Sequence, residues 1–225
     1  MPLRRIGVFA EAHSTSEARQ DIVEGVLTIG LTGGIATGKS SVARMLAQRG
    51  AVVLDVDRVA HETYAVGTPG YEAVVGAFGP QIVSVDGAID RRALGRIVFG
   101  DPNELRRLTD IVWPLTLELV RARRDAAEAD GASVYVVDAA VLREAGWDAL
   151  TDEVWLVRTS RELARERLLA RSNLTEAEAD ARLDAQAAAS LGELGIDRII
   201  ENDGSMDELE IAIEAAWRAA LEAAR

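Results

Sequence analysis

The 225-residue sequence predicts an α/β fold, a parallel sheet flanked by helices with a helical subdomain inserted into it. Three observations predict it. Four or five short β-type runs alternate with long helical patterns. The runs are apolar almost throughout, as strands covered on both faces are, and such strands separated by helices join through right-handed crossovers. The gap between the second and third runs is longer than a single crossover helix requires, so it must hold further helices.

Residues 1–25 are mixed polar without periodicity and are expected to be an extension of unknown role; the structured domain is expected over 26–225. The first run is Leu27–Thr32, followed by a helix whose apolar positions are Val42, Ala43, Met45 and Leu46. The second, Ala51–Leu54, is expected to continue through Asp55-Val56-Asp57, placing two carboxylates on one side at the carboxyl edge of the sheet. Residues from about 58 to 132 should form a helical subdomain leaning over the sheet. Val134–Val137 and Glu153–Val157 are the next strands, an arginine-rich lid region runs from about 159 to 190, and Arg198–Ile200 is the last strand. Leu209, Ile213, Trp217 and Leu221 recur at i, i+4, i+8 and i+12, a stripe that closes the core from a C-terminal helix.

Composition narrows the function. Hydrophobic residues make up 48% and charged ones 28%, a globular balance. The net charge of −12 argues against nonspecific binding to nucleic acid or anionic membrane, so a polyanionic substrate would need a local basic pocket. The absence of cysteine excludes disulfides, thiolate nucleophiles and cysteine-ligated metals. No apolar run reaches the length of a membrane span, and Glu11 breaks the short stretch after Arg4 and Arg5 too early for a secretory signal. The expectation is a cytoplasmic protein; oligomeric state is not legible.

The strongest chemical signal is Gly33-Gly34-Ile35-Ala36-Thr37-Gly38-Lys39-Ser40, followed by Ser41, set between an apolar strand and an apolar-periodic helix. This is G-x-x-x-x-G-K-S in the strand–loop–helix context that defines a phosphate-binding P-loop. Its glycines let backbone N–H groups turn inward around phosphate oxygens, and the helix N-terminus adds its positive end. Lys39 is expected to bridge the β- and γ-phosphates of ATP, and Ser40 to ligate Mg²⁺. Ala36 stands where many such loops have glycine, which implies a position that does not need positive φ.

Neither D-x-x-G nor N-K-x-D occurs, which removes a GTPase switch. Val134–Asp138 has the form of a Walker B strand, but Ala139 follows the acid where an ATPase of that class has a second acid. A small-molecule kinase needs an acid beside the acceptor hydroxyl and a mobile basic lid, and both are present. Asp55 and Asp57 are the acids, one to orient magnesium-bound water and one to accept a proton. The alternative for either acid is an N-cap. Arg158, Arg161, Arg165, Arg167 and Arg171 are the lid candidates, with a solvated helix face interlaced with Glu162 and Glu166 as the alternative. From the residues alone, the acceptor stays open between several small molecules or nucleosides, and a catalytically silent nucleotide-binding module is the other class.

An ordered set of segments resembles the dephospho-CoA kinase family. The set comprises IGLTGGIATGKSSVA, VVLDVD, Phe78-Gly79, DGAIDRRALGRIVF (Asp86 to Phe99), RLLARSNLTEAEADARLDAQ (Arg167 to Gln186) and IIENDG (Ile199 to Gly204). The resemblance spans about residues 27–220. It implies a P-loop kinase fold with a five-stranded parallel sheet, a helical substrate-binding subdomain and a lid. It implies ATP-dependent phosphorylation of the ribose 3′-hydroxyl of dephospho-CoA, the last step of coenzyme A biosynthesis, with Mg²⁺. It further implies Asp57 as the base, Asp55 supporting the metal, Arg167 and Arg171 in the lid, and Asn202 to Gly204 near adenine. Phe78 and Arg91 are expected to bind the substrate, Arg91 through phosphate or else in a structural ion pair. Two departures stand out. Trp113-Pro114 replaces a common His-Pro, and Ala139–Arg143 replaces a P-L-L-[FY]-E run; in both segments the chain is similar to the kinase domain of bifunctional eukaryotic CoA synthase. Trp113 is therefore expected to be structural, and His61 stands where many relatives have arginine.

Trp113, Trp147, Trp155 and Trp217 lie in apolar settings and are expected in the core or a pocket wall. His13 and His61 fall in different elements and suggest no metal site. Asp90 is expected to cap the helix that Arg91 opens.

Overall fold

The computed structural model describes residues 25–189 and 195–224; the extension over residues 1–24 lies outside the described residues. Five strands form one parallel sheet in the order β2-β3-β1-β4-β5: β1 Leu27–Gly33, β2 Val52–Asp55, β3 Val134–Asp138, β4 Glu153–Arg158 and β5 Arg198–Glu201. The two-residue period of the strands sorts their side chains between two cores. Leu27, Ile29 and Leu31 of β1, Val134 and Val136 of β3, and Trp155 and Val157 of β4 face one side. There they meet Val42 and Leu46 of α1 (Lys39–Gln48) and Leu209 and Ile213 of α8 (Met206–Ala223), with Trp217 and Leu221 packed partly buried alongside. On the other side Tyr135, Val137 and Val154 meet Val56 and Val59 of α2 (Val56–Glu62), Val120 of α5 (Pro102–Ala129), and Leu142 and Trp147. Gly30 faces this second side, where an added Cβ would stand 2.6 Å from Leu142 Cδ2, so the close approach needs glycine.

Both cores are made of residues that the apolar runs point to. Trp147 and Trp155 are buried, and Trp113 packs edge-on against Trp147 with ring centres 6.2 Å apart.

Between β2 and β3, helices α3 (Pro69–Phe78) and α4 (Arg91–Val98) and the first half of α5 enclose a third apolar cluster of Tyr64, Val74, Phe78, Ile82, Leu94, Val98 and Val112. Each helix begins at a side chain that satisfies its first N–H groups. Thr68 accepts from Tyr71 N at 3.1 Å, Asp90 from Arg92 N at 2.8 Å, and Asp101 from Asn103 N at 2.8 Å. Helix α5 is 28 residues long and contains Pro114, whose missing N–H leaves the helix ladder broken at that turn. Below that turn Val112 packs into the third cluster; beyond it Leu117 and Val120 pack on the sheet.

The remaining helices, α6 (Arg161–Arg171) and α7 (Glu176–Ala189), form a hairpin around Ala164, Leu168, Ala179 and Leu183. Ile35 and Ala36 of the glycine-rich loop pack against this small cluster. No helix among the described residues is long and apolar enough to cross a membrane.

Candidate active site

The loop from Gly33 to Gly38 leaves the central strand at its carboxyl end and enters α1. Gly33 is enclosed by Val157 and Thr37: a Cβ there would lie 2.7 Å from the Val157 carbonyl oxygen and 2.9 Å from Thr37 Oγ1. Thr37 folds the loop on itself, its hydroxyl donating to the Gly34 carbonyl at 2.9 Å. Gly38 takes φ 93°, and Ser41 N and Val42 N donate back to its carbonyl. No side chain caps α1, and no acid lies in its first turn. Its leading N–H groups are therefore available to an anion, which is the electrostatic requirement of a phosphate site.

Ala36 corrects an expectation. Its φ is 59°, the left-handed region, so the position does need positive φ and the alanine pays for it with steric strain of about 1 kcal/mol. Packing of its methyl against the α6–α7 cluster offsets that cost.

The acids depart from the expected strand. β2 stops at Asp55, and Val56 and Asp57 already belong to α2. Asp55 caps that helix, accepting from Arg58 N at 3.1 Å, while Asp57 lies exposed in the first turn. The two carboxylates thus project from a strand end and a helix start, not from one strand face. A third acid joins them. Asp138 ends β3, pairs in register with Asp55 on one side and Leu31 on the other, and forms an ion pair with Lys39. Burial pushes the Asp138 carboxyl up; Lys39 opposes that, and Asp55 and Asp57 add to it. Lys39, Asp55, Asp57 and Asp138 are therefore one electrostatic unit at the mouth of the loop, with three carboxylates against one ammonium. Asp138 belongs to this unit but was not among the site residues expected from the sequence, although its Walker B setting was the available signal.

Next to this unit, His61 shares a hydrogen bond with Tyr64 OH, their rings meeting edge-on at 5.6 Å. Burial and the Arg91 guanidinium hold His61 below its usual pKa, against the pull of Asp57 and Asp55. Arg91 thus stands within electrostatic reach of His61 and Tyr64 and makes no ion pair among the described residues. Phe78 is buried in the subdomain cluster with Arg107 5.6 Å above its ring, so it shapes the wall from behind and has no open face.

The arginines divide. Arg161 and Arg165 join α6 to α7: Arg161 reaches Asp184 at 2.8 Å, and Arg165 reaches Glu176 at 2.7 Å and Asp180 at 3.0 Å. Arg158 pairs with Glu201 across β4 and β5. Arg167 bends back to donate to the Asn202 carbonyl at 2.9 Å, and Arg171, exposed at the end of α6, has no ion pair among the described residues. Asn202 is 5% exposed, and its Nδ2 donates to the Thr37 carbonyl at 2.7 Å. Its amide braces the loop at Thr37, within the Asn202 to Gly204 segment expected near adenine. Gly204 follows it in the turn before α8, which Ser205 and Glu208 close with a reciprocal capping box.

Gln186 of α7 is a second residue that sequence reasoning did not single out. Its Oε1 accepts from Ile35 N at 2.5 Å.

A cradle of backbone N–H groups, a lysine and serine at the helix start, acids along the sheet edge and an arginine-bearing helical hairpin together define a P-loop small-molecule kinase. The comparisons give the particular family. The family model for dephospho-CoA kinase matches residues 27–208. The dephospho-CoA kinase of Symbiobacterium thermophilum is 45% identical over 85% of this chain and 80% of its own length. That of Geobacter sulfurreducens is 44% identical over 84% of this chain and 96% of its own. The crystal structure of TT1252 from Thermus thermophilus superposes with a TM-score of 0.71 at 31% identity, covering 86% of this chain and 97% of that one. The chain belongs to the dephospho-CoA kinase family, whose members are transferases acting in coenzyme A biosynthesis.

Proposed function

We propose that this chain transfers the γ-phosphoryl group of ATP to the ribose 3′-hydroxyl of dephospho-CoA. The observation that carries the reading is the electrostatic unit at the loop mouth, where an uncapped helix start faces three carboxylates and Lys39. The loop N–H groups bind the phosphates, and Lys39 exchanges Asp138 for the β- and γ-phosphate oxygens as they arrive. Asp57, exposed on the first turn of α2, orients the acceptor hydroxyl and takes its proton. Arg171 supplies positive charge to the transferring group from the lid, and Arg167 keeps α6 anchored to Asn202.

The residues fit Mg²⁺. Burial above all, with Asp55 and Asp57 adding to it, pushes the Asp138 carboxyl up, and acids gathered there in this way favour a divalent cation. No group of three His, Cys, Asp or Glu among the described residues could hold a metal by itself. Mg²⁺ here would take one or two protein oxygens beside the phosphates and keep several waters. Ser40 and Asp55 would hold it, with Asp138 ordering its shell, and it would neutralise charge on the phosphate oxygens. Arg91, without an ion pair among the described residues, would meet a phosphate of the acceptor.

A coupled ADP-release assay with dephospho-CoA, nucleosides, sugars and shikimate as acceptors tests the reading. ADP release dependent on dephospho-CoA is expected. Faster turnover with another acceptor, or none with dephospho-CoA, would sink it.

A further inference from the structure

The glycine-rich loop contains a tight turn whose outer corner is held by a side chain of the α6–α7 hairpin. Thr37 N donates to the Gly34 carbonyl at 3.3 Å and Thr37 Oγ1 to the same oxygen at 2.9 Å, so Gly34 to Thr37 close a turn with Ile35 and Ala36 at its corners. Ala36 takes φ 59°, the positive value that the third residue of a type II turn needs. A turn of this kind uses the N–H of its fourth residue only, so the N–H of Ile35 needs a partner outside it. That partner is Oε1 of Gln186 on α7, 2.5 Å away. The same oxygen stands 2.8 Å from where a Cβ on Gly34 would be, so the glycine leaves room for this approach.

The helix keeps Gln186 at that spot. Along α7, Ala179, Leu183 and Gln186 fall at i, i+4 and i+7, on one helix face. The first two are buried in the hairpin cluster, against which Ile35 and Ala36 of the loop also pack. A leucine at 186 would simply extend that stripe; the glutamine brings an acceptor to a backbone donor instead. From this we infer that Gln186 is a positioning residue for phosphate binding. Its bond fixes the outer corner of the turn and helps to hold Ala36 in its strained conformation. It thereby sets the direction in which the chain enters Gly38 and the uncapped start of α1, whose N–H groups are the ones free for an anion. The hairpin is then a structural part of the phosphate site as well as the carrier of Arg171. That role rests on the loop being a nucleotide site, as proposed above.

The test is calorimetric binding of ATP and of adenosine to the full chain and to Gln186→Leu and Gln186→Ala, with amide hydrogen exchange over the loop. Gln186→Leu keeps the bulk and the apolar stripe and removes the acceptor. It should weaken ATP binding by about threefold to tenfold, the worth of one neutral hydrogen bond. Gln186→Ala should weaken ATP binding at least as much. Adenosine binding should stay within about twofold in both, since adenosine carries no phosphate for the loop to hold. Without nucleotide, the Ile35 amide should exchange faster in both variants. A glutamine that merely packs would behave differently, its loss felt in the alanine variant and made good by leucine. ATP binding by Gln186→Leu within about twofold of the parent, equal shifts for ATP and adenosine, or unchanged Ile35 exchange would each overturn the inference. Failure of the unmodified chain to bind ATP would instead overturn the nucleotide reading on which it rests.

Discussion

Replacing Asn202 with alanine removes a buried amide that braces the phosphate loop from the far end of the sheet. Asn202 is 5% exposed and its Nδ2 donates to the Thr37 carbonyl at 2.7 Å. Its backbone carbonyl accepts from Arg167 at 2.9 Å and from Thr159 Oγ1 at 3.0 Å, and these bonds survive the substitution. What is lost is one donor to a loop carbonyl that then has no protein partner in a poorly solvated place. That costs about 1–3 kcal/mol. In a domain of this size each kcal/mol lowers Tm by about 2–4 °C, so a fall of about 2–12 °C is expected by calorimetry or circular dichroism. Asn202→Asp keeps the shape but turns an acceptor toward the Thr37 carbonyl, and it should fall further than alanine at neutral pH. With the brace gone, KM for ATP should rise several-fold while KM for the acceptor holds. A Tm within about 1 °C of the parent for Asn202→Ala, or an aspartate variant as stable as the parent, would refute the bracing argument.

Other consequences can be measured with the same assays. Asp57→Asn should lower kcat by about 10²–10⁴ with ATP binding within twofold of the parent, because Asp57 lies on α2 and not on the loop and is proposed to act on the acceptor; retained turnover would remove it as the base. Ala36→Val puts a β-branched residue at φ 59° and should cost about 2 kcal/mol, read as a lower denaturation midpoint, whereas Ala36→Gly should lie close to neutral as strain relief and lost packing cancel. The Glu153–Arg198 pair supplies a pH test. Burial works against the Glu153 charge, yet hydrogen bonds from Arg198 and from Trp155 Nε1 hold its pKa below the ordinary 4.5. A carboxylate so depressed adds stability above its unfolded pKa and loses it as pH falls through the folded value. Arg198→Ala should therefore lower Tm at pH 7, and the gap to the parent should narrow below about pH 4.5.

The strands were legible because burial on both faces leaves an uninterrupted apolar signature, and the observed bounds differ from the apolar runs by a residue at an end. The loop was legible as a motif. Where the reading erred, a local choice had two consistent answers and tertiary contacts decided. Val52 to Asp57 alternates well enough for a strand, but Asp55 can cap and Val56 and Val59 can bury at i and i+3, so a helix begins there instead. Arg161 and Arg165 were weighed against Glu162 and Glu166 of their own helix, yet their partners come from α7. The sequence spacing of one helix carries no information about which face another helix will present. Asp138 and Asn202 needed the sheet itself, since β3 and β5 reach the loop only through strand order.

Helix α5 belongs to two cores at once, and its interruption at Pro114 falls at the seam between them. In mechanical terms it is a beam clamped at both ends and notched in the middle. A notch concentrates bending, so thermal motion of the helical subdomain over the sheet is channelled into one angle instead of being spread along the helix. Arg91, carried on α4, would then move with the subdomain cluster, while His61 stays with α2 on the sheet. The angle at which the subdomain cluster meets the sheet is in this sense geared to a single proline turn.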